Sequence, residues 1–250
     1  MMKLPSNYHP ASDALKDKII VVTGAGDGIG RVAAKTFAAH GATVVLLGRT
    51  TAKLEHVYDE IEREGGPQPA IYPINLEGAT EKDYRDLSDV LLQEFGVLHG
   101  LLHNAGDLGE RTPIASYAAD TWMRVMHINV NAPFMLTQAL LPLMEKAEQG
   151  SIVFTSSGVA NKGRAFWGAY AASKSAQDNL MQTLADELEG ASSMRVNSIN
   201  PGATRTSMRA SAYPAEDPKT LPRPEDHMPL YVYLMSDDAK GITGEIFNAQ

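Results

Sequence analysis

The sequence predicts an α/β protein: a doubly wound parallel sheet of about seven strands, flanked by helices and folded as a single domain. Ile19-Ile20-Val21-Val22 is an unbroken β-branched run, the pattern of a strand buried on both faces. Short apolar runs then alternate with amphipathic stretches along the chain, which requires parallel strands joined by right-handed helical crossovers. The 250 residues suffice for one large core of this class without division.

Residues 1–18 are polar and hold Pro5 and Pro10, so they read as an irregular N-terminal arm, with the domain occupying 19–250. Behind the first strand, residues 31–40 are predicted as a helix closed by Gly41. A second strand follows at 43–47, then a helix at 51–64 ending in Gly65-Gly66 and a weaker strand at 70–74. The stretch 80–95 has apolar residues three and four apart and reads as a helix. A fourth strand covers 98–102. The long helical pattern over 120–148 offers Pro133 and Pro142 as sites for a kink. The fifth strand lies at 152–155, a helix at 168–188 and the sixth strand at 194–199. Beyond Pro201-Gly202, prolines at 214, 218, 222, 224 and 229 interrupt regular structure, before a last helix at 225–235 and a short closing strand at 245–247.

Composition narrows the function classes. The chain carries 30 Asp and Glu against 22 Lys and Arg, a formal charge of −8, so no nucleic acid or anionic membrane partner is expected. It has no cysteine, which excludes disulfides, thiolate catalysis and thiolate metal sites and fits a reducing compartment. Residues 1–18 lack the apolar core of a secretion signal. The apolar stretch 128–144 is interrupted by Asn129, Asn131, Thr137 and Gln138, so no membrane span is expected. The expectation is a soluble, cytoplasmic protein. His99 and His103 lie on a strand, too far apart for one ion, and the other histidines are scattered; no metal is expected.

Thr23, Gly24, Gly26, Asp27, Gly28, Ile29 and Gly30 make a glycine-rich turn directly between a strand and a helix. Backbone N–H groups and a helix N-terminus are thereby left open to a dinucleotide pyrophosphate, as in a Rossmann-type sheet. The spacing is T-G-x-x-x-G-x-G, since Ile29 stands where G-x-G-x-x-G would place its last glycine; a glycine-rich turn with no ligand is the plainer alternative. After the second strand, Gly48-Arg49-Thr50-Thr51 offers a cation and hydroxyls but no carboxylate. A carboxylate there would hold the ribose hydroxyls of NAD, whereas an arginine accommodates the 2′-phosphate of NADP. NADP(H) is therefore favoured over NAD(H). Asp27 argues mildly the other way, unless it only shapes the turn.

The reactive groups lie between 151 and 177. If 168–188 is helical, Tyr170 and Lys174 share one face with roughly 5–6 Å between their Cβ atoms. An ammonium so near a phenol favours the phenolate and lowers a pKa of about 10 in the free side chain. Ser156 and Ser157 end the preceding strand, and the spacing to Tyr170 favours Ser157. A hydroxyl, a phenol and a cation make an acid/base site for a carbonyl or an alcohol when a redox cofactor is near. Taken alone, the pair would more often be a surface tyrosine beside a solvated lysine. Phe166 and Trp167 either shape a substrate pocket or pack as core. The segment 206–229 is either a lid that orders on substrate binding or a surface loop.

Residues 23–30, His103-Asn104-Ala105-Gly106, Asn129 in His127-Ile128-Asn129-Val130, Ser157 with Tyr170-x-x-x-Lys174, and Pro201-Gly202 with Thr206 resemble the short-chain dehydrogenase/reductase family. The resemblance runs over nearly the whole chain, and phrases such as INVNAPFMLTQALLP and GAYAASK look like one bacterial oxidoreductase subgroup. It implies an NAD(P)-dependent oxidoreductase that reduces a carbonyl with NADPH or runs the reverse alcohol oxidation. Tyr170 would be the general acid, Lys174 would tune it and hold the nicotinamide ribose, and Ser157 would polarise the carbonyl. Asn129 would hold a water in a proton relay. Asn104, Ala105 and Gly106 would line the adenine ribose, and Asn75 with Leu76 the adenine. Ile199, Pro201, Gly202 and Thr206 would meet the nicotinamide side.

Three positions depart from the family pattern: Asn75 for a usual Asp, His103 for a usual Asn, and an ending at Phe247-Asn248-Ala249-Gln250 without glycines. An asparagine carbonyl can still accept the adenine amino group. The partners implied are a small carbonyl or alcohol substrate and further copies of the chain, as a homodimer or homotetramer paired through 120–148 and 168–188. A catalytically idle dinucleotide-binding sensor or scaffold would be expected to have lost Ser157, Tyr170 or Lys174, and none is missing. An NAD-linked alcohol dehydrogenase is the enzymatic rival.

Overall fold

Strand β1 (Ile19–Thr23) is buried from Ile20 onward, which places it inside a sheet covered on both faces. The computed structural model, which describes residues 2–250, has β1 between β2 (Thr43–Gly48) and, on its other side, β4 (Gly100–His103). Outside β2 lies β3 (Ala70–Pro73), and beyond β4 come β5 (Ser151–Thr155), β6 (Arg195–Asn200) and β7 (Ile246–Asn248). All pairs are parallel, in the order β3-β2-β1-β4-β5-β6-β7. β3 forms one edge, and its exposed Pro73 costs no ladder bond there. The chain fills one half of the sheet with β1 to β3 and returns beside β1 with β4. This reversal opens a crevice at the carboxyl ends of β1 and β4.

Helices cover both faces. On one, α1 (Gly28–Ala39), α2 (Thr51–Arg63) and α9 (Met228–Met235) bury Phe37, Leu54 and Tyr231 against Val22 and Leu46. On the other, α3 (Glu81–Phe95), α5 (Ala132–Met144) and α7 (Gly168–Leu188) bury Leu87, Leu136 and Met181 against Val21 and Phe154. Helix α3 starts at a capping box between Thr80 and Asp83 and stops at Gly96, whose φ is 74°. Arg31 on α1 grips Glu60 on α2 through two nitrogens, at 2.5 and 3.0 Å.

The helical pattern at 120–148 is not one helix. It divides into α4 (Ala119–Met126), a wide π turn at His127–Asn131, and α5. The break spans Asn129, four residues before Pro133: the proline has no N–H to give the Asn129 carbonyl and its ring crowds it, so the expected kink falls in the turn ahead of Pro133, while Pro142 is accommodated near the end of α5. Helix α1 begins at Gly28, three residues before the predicted start, because Asp27 caps it by accepting from the Gly28 N–H at 2.7 Å. β4 begins at Gly100, two residues later than expected. Two short helices, α6 (Gly158–Asn161) and α8 (Ser207–Ala212), have too few turns to show periodicity in sequence.

The arm is irregular but seated. Met2 and Ile246 share a backbone bond of 2.9 Å, Tyr8 donates to Asp238 at 2.8 Å, and Leu15 is fully buried.

Candidate active site

A cleft of about 760 Å³ opens along the carboxyl ends of the central strands. One end is the glycine turn. Gly24 has φ 68°, and a Cβ there would lie 3.0 Å from the Ala105 Cα. A Cβ on Gly30 would stand 2.3 Å from the Gly24 carbonyl oxygen, so α1 can enter this close to the turn only without a side chain. Thr23 joins the ends of β1 and β4: its hydroxyl donates to Leu102 O at 3.2 Å and accepts the N–H groups of Asn104 and Ala105 at 2.9 and 3.0 Å.

Thr23, Gly24, Gly26, Asp27, Gly28 and Ile29 line the cleft. So do Arg49, Asn75 and Leu76 from the far side, and Asn104, Ala105 and Gly106 from the floor. Pro201, Gly202 and Thr206 line it above the end of β6, and Ser157, Tyr170 and Lys174 close the other end. Gly30, Asn129 and Ile199 stand behind the wall. Asn129 is fully buried, with Nδ2 donating to Asp107 O and to Ser173 Oγ, both at 2.9 Å, while Oδ1 accepts the Asp107 N–H at 2.7 Å. Asn75 is exposed and its Oδ1 accepts the Glu77 N–H at 3.3 Å, which leaves one lone pair free.

The two serines differ in direction. Ser156 Oγ donates to Asp178 Oδ2 at 2.6 Å, whereas the Ser157 hydroxyl lies by Tyr170. Lys174 Nζ lies 5.8 Å from the Tyr170 ring centroid and donates to Thr155 O at 2.7 Å and to Gln177 Oε1 at 2.9 Å. The expectation that Lys174 lowers the Tyr170 pKa is reversed here. Burial pushes the phenol up to about 12, offset only partly by the bond from Ser157, and burial pushes the Lys174 ammonium down to about 8, against the pull of Asp178. Desolvation is the largest influence on each group. His103, replacing the usual asparagine, is buried against Phe154 and bonded to Thr137 at 2.8 Å; burial holds its pKa near 3, so it is neutral.

On the substrate side Trp167 is buried and packs at 5.7 Å from Tyr170 and 6.0 Å from Tyr213, while Phe166 is 51% exposed with φ 71°. Arg111 lies over both Trp167 and Tyr213. Residues 207–212 form α8 along the cleft, and Arg209 is clamped to Glu216 at 2.6 and 2.7 Å.

The short chain dehydrogenase model matches residues 18–217. This chain belongs to the short-chain dehydrogenase family. It is 52% identical to the oxidoreductase YciK of Escherichia coli K12 over 98% of this chain and 96% of that one. A short chain dehydrogenase from Shigella flexneri, complexed with NADP, is 53% identical with a TM-score of 0.94, covering 96% of this chain and all of that one. The same identity, TM-score and coverage hold for a short chain dehydrogenase from E. coli CFT073 complexed with NADPH.

Sequence reasoning about this short-chain dehydrogenase missed Lys53. It stands on the first turn of α2, and its ammonium pairs with Asp27 at 2.9 Å. That pairing, helped by the Gly28 N–H, holds the Asp27 carboxyl below its usual range, so the charge held against a phosphate is locally compensated. A lysine four residues after Arg49 was the available signal. The Asp107–Arg124 pair at 2.8 Å beside the cleft was not legible, because it joins a loop to a helix seventeen residues on. Among the described residues no helix is long and apolar enough to cross a membrane.

Proposed function

We propose that this oxidoreductase uses NADPH to reduce a small carbonyl compound, or runs the reverse alcohol oxidation. The observation that carries this is the convergence of Ser157, Tyr170 and Lys174 at one end of a cleft whose other end is a side-chain-free turn at a helix N-terminus. The glycine cradle fits a pyrophosphate. Arg49 and Lys53, with no carboxylate ending β2, suit a 2′-phosphate, and the close relatives complexed with NADP and NADPH support that choice.

A bound NADP(H) supplies or takes the hydride. Ser157 donates a hydrogen bond to the carbonyl oxygen and polarises it. Tyr170 keeps its proton at neutral pH, as a general acid for reduction must, and gives it to the same oxygen. The Lys174 cation eases the negative charge left on the phenol; two of its N–H groups are spent on Thr155 and Gln177, leaving the third for the cleft. Both amide hydrogens of Asn129 are engaged, so a relay water would bind to the second lone pair of its Oδ1 or to its main-chain carbonyl. Trp167, Leu108 and Met208 bound the substrate, with 206–229 as the movable wall. The apolar Met123 and Phe134, 68% and 48% exposed on α4 and α5, suit pairing of copies in a cytoplasmic homodimer or homotetramer.

A carbonyl panel with NADPH tests the reading. Tyr170→Phe should lose about 10²–10⁴-fold in turnover while binding NADPH as before; full turnover in that variant sinks the mechanism. Arg49→Ala should weaken NADPH binding about tenfold or more and leave NADH binding alone. Equal loss for both nucleotides would remove the phosphate role.

A further inference from the structure

The Lys174 ammonium is only 3% exposed, and both acceptors that hold it are neutral. A buried ammonium in that setting gives up its proton readily, yet the proposed reaction uses it charged. Thr155 O, one of the acceptors, belongs to the backbone of β5 and is there whatever the side chains are. The other, Gln177 Oε1, depends on a single side chain.

Gln177 is fully buried, and its Nε2 has no protein partner. An unpaired amide in the interior is unfavourable, and leucine at this position would pack without one. What the carboxamide adds is the acceptor. Gln177 follows Lys174 by three residues on α7, so its oxygen lies over the same turn. We propose that Gln177 is a positioning residue for the reaction: its side-chain oxygen keeps the Lys174 ammonium charged and aimed into the cleft. This rests on the oxidoreductase reading above.

The other titratable groups facing Lys174 do not replace it. His103 on β4 is neutral, and Tyr170 on α7 keeps its proton. Asp178 on α7 favours the ammonium through its charge, but it makes no hydrogen bond to Nζ and its Oδ2 is turned to Ser156 at the end of β5, so it does not aim the ammonium into the cleft.

The test follows Lys174 in the nucleotide-free protein by NMR titration of labelled lysine side chains, with Lys174→Met to assign the signal, beside NADPH binding by fluorescence. Gln177→Leu should lower the Lys174 pKa by about one unit, tenfold in its protonation equilibrium. It should also weaken NADPH binding at pH 8, in a fold no less stable to urea than wild type. Gln177→Glu, which keeps the acceptor and adds charge, should raise the pKa and carry NADPH binding to higher pH. A Lys174 pKa unmoved in both variants overturns the proposal. Should Gln177→Leu fail to fold, an unmoved pKa in Gln177→Glu overturns it alone. Expected shifts in an enzyme that turns over no carbonyl would sink the oxidoreductase reading and leave the hold of Gln177 on Lys174 standing.

Discussion

Burial drives Tyr170 and Lys174 in opposite directions on the pH scale but toward the same outcome, the neutral form of each. For tyrosine this is useful, since a protonated phenol is the reagent for reduction. For lysine it sets a limit. With its pKa lowered from 10.5 to about 8, the amine carries its charge below that value and loses it above. NADPH binding to the free enzyme should therefore be full near neutrality and fall as pH rises past about 8. Lys174→Arg, charged throughout, should bind with a flat profile over the same range in a fluorescence titration. Linkage has the matching sign. The unfolded chain binds more protons here between about 8 and 10.5, so this group's contribution to stability improves as pH climbs through that window. The spacing of Tyr170 and Lys174 was plain in the sequence; the reversal of the expected shift was not, because desolvation is set by β4, β5 and the π turn packed around the pair.

Among the elements, the glycine turn and the π turn do most to place the site. Gly30→Ala would put a Cβ 2.3 Å from the Gly24 carbonyl oxygen. It should cost about 1–3 kcal/mol in urea unfolding, as overpacking does, and weaken nucleotide binding through the displaced loop. Gly78→Ala, with nothing within 4 Å of its Cβ position and no positive φ, is the control and should change neither. The π turn is a different case. Residues 120–148 have continuous helical periodicity, and Pro133, which cannot donate to the Asn129 carbonyl four residues back, marks the place of the break in the sequence. That Asn129 turns its side chain onto the Asp107 backbone is a contact between segments that no local pattern records.

Across the whole molecule, the two core layers and the arm act together. Leu15 belongs to the same apolar cluster as Phe37 and Tyr231, so the arm over 2–18 is more than an appendage. Leu15→Ala should lower unfolding free energy by about 2–5 kcal/mol, read as a lower urea midpoint with an unchanged slope; an unmoved midpoint would show that the arm does not share the core. At the other terminus Gln250 donates to Pro201 O and Ala203 O at 2.7 and 3.0 Å, bracing the loop above the cleft from the last residue of the chain. The order of strands and helices, the glycine turn, the Arg49 position and the Tyr170–Lys174 spacing could all be read from local signals, since period, β-branching and turn chemistry act over a few residues. Other features come from segments far apart in sequence: Ser156 aimed at Asp178, Lys53 neutralising Asp27, Asn129 buried behind the cleft and Leu15 inside the core. Their roles depend on which groups are brought together and which are taken out of water, and folding alone settles that.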